Sequence, residues 1–298
     1  MKFREFLSLA KRILLLSVVF YFVEAFDFLG LEFAQNHSQY AGIFFLLSLL
    51  STTVLSIPIR RARYGGWPLI GAVFLIFYAL KYSLVALEAF YLEEVLSSEV
   101  ALRLSVNGAI DSAILAILSV YLFGKMTHQS IDDPSDHQVD RPLWSWLWRI
   151  ISTGIVYVFL FIFAGQLVFR PLAYYLDPVS AKEYIATFNP ENPIWILLFQ
   201  YLRGTIWAVM TIPILILMRP PRWIIGLTIG LLYAVVMAPQ ILVPNDALSQ
   251  GLSLAHAAEV SISNFVYGLI VTLLLARAAL PQAREMSSLH KIGLKVDY

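Results

Sequence analysis

The chain has no cysteine, which excludes disulfides, thiolate catalysis, thiolate metal sites and iron–sulfur clusters outright. It is also poor in charge. Asp, Glu, Lys and Arg make up 14% of its 298 residues, where a soluble domain carries about 25%. Histidine is scarce, five in all, and only His256 falls within an apolar run. Transition-metal sites normally gather several such ligands, and a bis-histidine haem needs two, so no metal and no cofactor is expected. Gly-rich phosphate loops, G-x-S-x-G and H-E-x-x-H are absent too. No basic patch is interleaved with aromatics, so nucleic acid is not an expected partner.

Apolar residues take the place of the missing charge: the chain is 59% hydrophobic, with a mean hydropathy of +0.73. That composition puts it in a bilayer, with membrane lipids around it. Runs of about 20 apolar residues mark spanning helices, and they fall near 12–33, 40–59, 67–90, 102–124, 149–170, 193–218, 223–243 and 254–277. The expected fold class is an all-α integral membrane protein, a polytopic bundle of about eight transmembrane helices, since backbone groups in lipid are satisfied within each helix. The first run has the basic flank of a signal peptide. It continues past Glu24 and Asp27, too long and too acidic for one, and reads as a retained first helix.

Connections alternate in charge. One set holds Lys2, Arg4, Lys11 and Arg12, then Arg60, Arg61 and Arg63, then Arg219 and Arg222, then Arg277, Arg284, Lys291 and Lys295; the other set is acidic or neutral. By the positive-inside rule the first set is cytoplasmic and both termini are inside. The expected location is the cell membrane, plasma or inner. Asn36-His37-Ser38 is a formal glycosylation sequon, but it lies too close to the membrane to be used.

Residues 1–125 make a first four-helix half and 149–298 a second half with a cytoplasmic C-terminal tail. Residues 126–148 form a polar cytoplasmic linker ending in the interfacial Trp144, Trp146 and Trp148. "SIPIRRARYGGWPLIG" and "TIPILILMRPPRWIIGL" both run from an Ile-Pro through a short basic turn to a Trp, as in a parallel internal repeat. In the second half "DPVSAKEYIATF" predicts a short outer-face helix near 178–188, with a capping box from Ser180 to Glu183.

The polar residues inside the runs carry the functional reading. At about 100° per residue, His256, Glu259, Ser263 and Tyr267 of "HAAEVSISN" and its sequel share one face, with Asn264 at its edge. Ser17, Glu24 and Asp27 share a face of the first helix, Lys81 and Glu88 one of the third, and Arg103, Asn107 and Asp111 one of the fourth. Gln166 and Arg170 do so in the fifth, Gln200, Arg203, Gly204, Trp207 and Thr211 in the sixth, and Tyr233 and Gln240 in the seventh. The charge-derived topology puts nearly all of them in the outer half of the bilayer, as a polar cavity or a buried ion-paired network.

Residues expected to bind a substrate are Glu24, Asp27, Lys81, Asp111, Gln200, Arg203, His256, Glu259 and Asn264, with His256 and Glu259 as candidate acid and base. His256 and Glu259 are expected to face Arg203 and Glu24 or Asp27. Plainer roles stand beside these. Glu24, Glu88, Arg103 and Arg170 lie where long side chains snorkel to water, Lys81–Glu88 and Asp111–Arg203 are alternative structural pairs, and Gly204 would let helices approach closely.

Three functions fit. The first is a transporter or permease for a small zwitterionic or anionic solute, with proton coupling natural. The second is an intramembrane enzyme acting on a lipid or lipid-linked substrate at the outer leaflet, whose headgroup would occupy the cavity. The third is a non-catalytic membrane subunit or assembly factor.

Overall fold

A computed structural model describes residues 3–27, 32–33, 40–83, 98–127, 142–187, 193–218, 221–244 and 248–276. Its helices are α1 (Phe3–Ala25), α2 (Ala41–Arg61), α3 (Gly66–Lys81), α4 (Ser98–Leu122) and α5 (Leu143–Ala164). A π-helical turn, Gly165–Phe169, carries α5 into α6 (Arg170–Leu176). There follow α7 (Pro178–Thr187), α8 (Pro193–Leu217), α9 (Arg222–Met237) with a 3₁₀ turn Ala238–Leu242, and α10 (Gln250–Leu275). Two-residue strands β1 (Phe26–Asp27) and β2 (Glu32–Phe33) pair antiparallel, Phe26 opposite Phe33 and Asp27 opposite Glu32.

Among the described residues six helices are long and apolar enough to cross a membrane: α1, α2, most of α4, the continuous 34-residue rod of α5 and α6, α8 and α10. α3 and α9 are apolar but only 16 residues each, about 24 Å of helix against a hydrocarbon core of about 30 Å. The chain is therefore a multi-pass helical membrane protein. The first span differs from the expected 12–33, because α1 starts at Phe3 and stops at Ala25. An apolar run records hydropathy, not helix, and after Ala25 the chain enters the strand β1.

The two short helices make the centre. α3 buries Leu69, Val73, Ile76, Phe77 and Leu80, α9 buries Ile225, Ile229, Leu232 and Val236, and Leu55 and Ile59 of α2 and Trp207 and Ile214 of α8 close around them. α1 and α5 stand at the rim. Only 17% and 22% of their spans are buried, against 50% for α2 and α8, and they turn Phe22, Leu14, Phe159 and Ile162 outward, as lipid-facing helices do.

Neighbour relations recur. α1 packs on α2 and on α4; α5 packs on α8 and on α10. α3 lies against α4 as α9 lies against α10, and across the middle α2 meets α9 while α8 meets α3. At one end the turns after α2 and α8 touch: Ala62 and Met218 form an antiparallel bridge, and the Arg63 N–H donates to the Leu217 carbonyl at 2.8 Å. Each turn follows a proline inside its helix, Pro58 and Pro213, which removes an internal hydrogen bond and loosens the last turns. Gly66 opens α3 at φ +66°, a conformation that favours glycine, and its N–H donates to the Lys125 carbonyl at 2.7 Å.

Cations crowd this basic end. Lys125 Nζ donates to the Ala62 carbonyl at 3.1 Å, Arg149 to that of Leu274 at 2.5 Å and Arg222 to that of Leu273. They meet carbonyls that helix termini leave unpaired, where the helix dipole also favours positive charge.

Candidate functional site

The polar residues of the spans gather into three groups near the end of the bundle opposite the basic turns. The first is built on Lys81, the last residue of α3. Lys81 forms an ion pair with Glu24 of α1, and both side chains are below 10% exposed, at 7% and 9%. Ser48 of α2 donates to the other Glu24 oxygen at 3.0 Å. The ammonium also lies over the rings of Phe20 at 4.9 Å, Tyr82 at 5.5 Å and Phe77 at 5.8 Å, so aromatic faces stand in for part of the water it has lost.

Asp111 of α4 is within electrostatic reach of the same ammonium. Tyr82 donates to Asp111 Oδ2 at 2.9 Å. Oδ1 is buried and has no hydrogen-bond partner among the described residues. The group therefore holds two carboxylates and one ammonium. Residues 82–102 contain no Lys or Arg, so the connection from α3 to α4 has no cation to restore the balance.

The second group surrounds Arg203 of α8. Its guanidinium lies 4.8 Å from the Trp207 ring and 5.9 Å from that of Tyr157, and Nη2 approaches Met237 Sδ at 3.0 Å. Asn264 of α10 reaches the same sulfur at 3.3 Å and accepts from the Tyr157 hydroxyl at 3.2 Å. Gln200, one turn before Arg203, is 7% exposed, and its Oε1 has no partner among the described residues. Gly204 makes room for a neighbour, since a Cβ there would meet Tyr157 Cγ at 2.9 Å and the Tyr267 hydroxyl at 3.2 Å. Trp207 ties this group to the first by donating its indole N–H to the Ala79 carbonyl at 3.0 Å, two residues before Lys81.

The third group is His256 and Glu259, one turn apart on α10. His256 Nδ1 lies 2.8 Å from Glu259 Oε2, with the imidazole side chain 41% exposed and the carboxylate 8%. The ring of Phe169, in the π-helical turn, sits 5.9 Å from that of His256 and 5.8 Å from that of Tyr184 on α7. Burial, and after it the Glu259 charge, holds the Tyr184 phenol above its usual pKa, so it stays a neutral hydroxyl. Asp177 joins α7 to α10. It accepts from Ser249, the N-cap of α10, at 2.6 Å and from the Ser180 N–H at 3.1 Å, and these two hydrogen bonds hold its carboxyl below the usual range. The helix at Pro178 is thus capped by Asp177, where the sequence suggests a box from Ser180 to Glu183.

Several expected pairings take a different form. Glu259 pairs with His256 of its own helix, and among the described residues it makes no direct polar contact with Arg203 or Glu24. A helix places i and i+3 side chains together more cheaply than two helices can. Asp111 is held by Tyr82 rather than by Arg203. Lys81 takes Glu24; Glu88 lies outside the described residues, as do the side chains of Asp27 and Gln240. Gln166 and Arg170 bond each other at 3.1 Å on an exposed face, because the wide π turn rotates that stretch away from the interior. The sequon at 36–38, much of the 126–148 linker and the tail beyond 276 also lie outside the described residues.

Ser48, Tyr82 and Met237 were not read as site residues. A signal existed for Ser48: α2 buries Ser48, Ser51, Thr52 and Ser56, a stripe of small polar residues of the kind that brings membrane helices together, and Thr52 meets Ser17 of α1 at 2.6 Å. Among the described residues no three of His, Asp and Glu converge as a metal site would require. No known protein family matches the chain, and no curated protein and no solved structure is significantly similar to it.

Proposed function

We propose that the protein is a transporter for a small zwitterionic or anionic solute, coupled to protons, whose site is the Lys81 group together with the neighbouring Arg203 group. The observation that carries this is Asp111 Oδ1, a buried carboxylate oxygen without a hydrogen-bond partner among the described residues, in a group with one more carboxylate than ammonium. Net charge in an apolar interior is costly until something neutralises it. A solute ammonium at Asp111 supplies the missing positive charge. Arg203 and the amide of Gln200 suit the solute's carboxylate. In the empty site a proton fills the same deficit, so binding of a cationic group displaces a proton and couples the two movements. Charged and titratable groups facing Asp111 from the elements packed on it are Lys81 and Tyr82 of α3 and Glu24 of α1, with Ser48 of α2 behind Glu24.

This reading takes α3 and α9, extended by the residues after them, as spans three and seven of eight. Both termini and the basic turns are then cytoplasmic, and the three polar groups lie in the outer half. The recurring neighbour relations support two halves related by an axis along the membrane normal: two equivalent turns meeting on such an axis run antiparallel, as Ala62 and Met218 do. The test is thermal stabilisation of the purified protein by a panel of amino acids, betaines and simple carboxylates. One class is expected to stabilise the wild type and Arg103→Gln but not Asp111→Asn; no stabilisation by any class sinks the reading.

A lipid-modifying enzyme is the second reading, and the His256–Glu259 pair favours it. A carboxylate on Nδ1 fixes the imidazole so that Nε2 is left as a base, and this ring is partly exposed beside a π turn, a feature frequent at functional sites. Incubation with phospholipid and mass spectrometry of the lipid would reveal headgroup loss that His256→Asn abolishes; unchanged lipid argues against it.

A further inference from the structure

A cavity of about 470 Å³ lies at the basic end, far from the three polar groups. It is assembled from parts distant in sequence. The first turns of α1 supply Arg4, Glu5, Ser8 and Arg12, the last turn of α2 supplies Arg60, and the turn after α4 supplies Lys125. Four of these six side chains are cationic and one is acidic. Among the described residues Arg4, Arg12 and Arg60 enter no ion pair. Three guanidiniums and an ammonium share one hollow with a single carboxylate, Glu5, so positive charge is in excess in its wall.

We propose that this cavity binds a phosphate group, supplied by the headgroup of an anionic phospholipid in the leaflet at the basic end. A guanidinium presents paired donors that match phosphate oxygens bidentately, and the Ser8 hydroxyl adds a neutral donor. Position selects the lipid as the source. Phe3, Phe6 and Leu7 of the same turns are exposed and set this part of α1 among acyl chains. Leu9 and Phe123 form the apolar part of the cavity wall, where a glycerol backbone and the first carbons of its chains can lie. Basic hollows between spanning helices are suited to such headgroups. The inference requires neither transport nor catalysis, so it stands or falls apart from the proposed function.

The test uses the full-length protein, stripped of lipid in a neutral detergent. Its thermal midpoint is measured with added phosphatidylglycerol, phosphatidylcholine or inorganic phosphate, and retained lipid is counted by native mass spectrometry. Phosphatidylglycerol is expected to raise the midpoint and be retained, with phosphatidylcholine inert. Each of Arg4→Gln, Arg12→Gln and Arg60→Gln should weaken retention about fivefold, while Arg61→Gln, whose side chain is exposed outside the wall, retains lipid normally. Single substitutions on exposed arginines leave the fold intact, and the midpoint without lipid checks this. A phosphatidylglycerol response that survives in all three cavity variants, or equal responses to both lipids, overturns the proposal. A response to millimolar inorganic phosphate equal to that for the lipid overturns the lipid as source and leaves a soluble phosphate compound in its place.

Discussion

α3 and α9 are both 16 residues long, both central and both end in a residue that neighbouring helices reach for, yet those residues are Lys81 and Met237. Around Lys81 the partners are ionic: Glu24 from α1 and Asp111 from α4. Around Met237 they are Arg203 from α8 and the neutral Asn264 from α10, both on the thioether sulfur. One packing plan thus holds two kinds of interior. Around Lys81 charge is buried against charge with an excess carboxylate; around Met237 a cation also lies over aromatic faces and meets a soft sulfur. A site that takes up a charged solute needs the first kind, and a firm wall against which it opens needs the second.

Making the surroundings of Lys81 resemble those of Met237 gives the largest expected effect. Lys81→Met leaves Glu24 and Asp111 buried without their cation and should cost about 3–5 kcal/mol of stability, read as a lowered thermal midpoint. Adding Glu24→Gln and Asp111→Asn removes the orphaned charges and should recover most of the loss. If Lys81→Met alone is neutral, the ionic interior is not what holds α1, α3 and α4 together.

The α3–α4 and α9–α10 pairs also differ in how closely their helices approach. A Cβ on Gly268 would meet the Gly230 Cα and nitrogen at 2.7 Å, so α9 and α10 touch backbone to backbone, whereas Gly108 of α4 receives the Tyr82 ring. Gly268→Val is expected to cost about 3 kcal/mol by forcing the helices apart, measured the same way. A smaller loss, about 1–2 kcal/mol, is expected for Trp207→Phe, which removes the bond from α8 to the Ala79 carbonyl of α3.

The smallest effect concerns α7, which Asp177 ties to α10. Its carboxyl is held below the usual range by Ser249 and Ser180, so its contribution is complete above the unfolded value, about pH 4, and fades as pH falls through the lower folded value. Amide hydrogen exchange across Pro178–Thr187 should be flat from pH 7 to about 5 after correction for intrinsic rates, then accelerate relative to the rest. Asp177→Asn should show the fast exchange at every pH.

Much of the fold was legible because membrane helices write themselves in hydropathy: α2, α4, α8 and α10 lie within a few residues of the apolar runs. Their ends were less so. Hydropathy registers neither the reversal after Ala25 nor the π turn that continues α5 into α6, since both depend on backbone hydrogen bonding. Of the site, periodicity identified the buried faces bearing Lys81, Asp111, Arg203, Glu259 and Asn264, all of which are below 10% exposed. It could not assign partners. A stripe on one helix says which way it faces but not how far the neighbour is rotated or raised, so Glu259 was matched to Arg203 when its own helix already supplied His256. Ser48 and Met237 escaped notice because serine and methionine in an apolar run carry no charge to mark them.

The central claim, that the charge deficit at Asp111 couples a solute to protons, is tested most directly in proteoliposomes loaded with a pH-sensitive dye. With no ion gradient imposed, an outward-facing pulse of the solute class that stabilises the protein should change the internal pH in wild type and leave it unchanged in Asp111→Asn, with Arg103→Gln behaving as wild type. Solute entering without any pH change, or proton movement that persists in Asp111→Asn, would contradict the account.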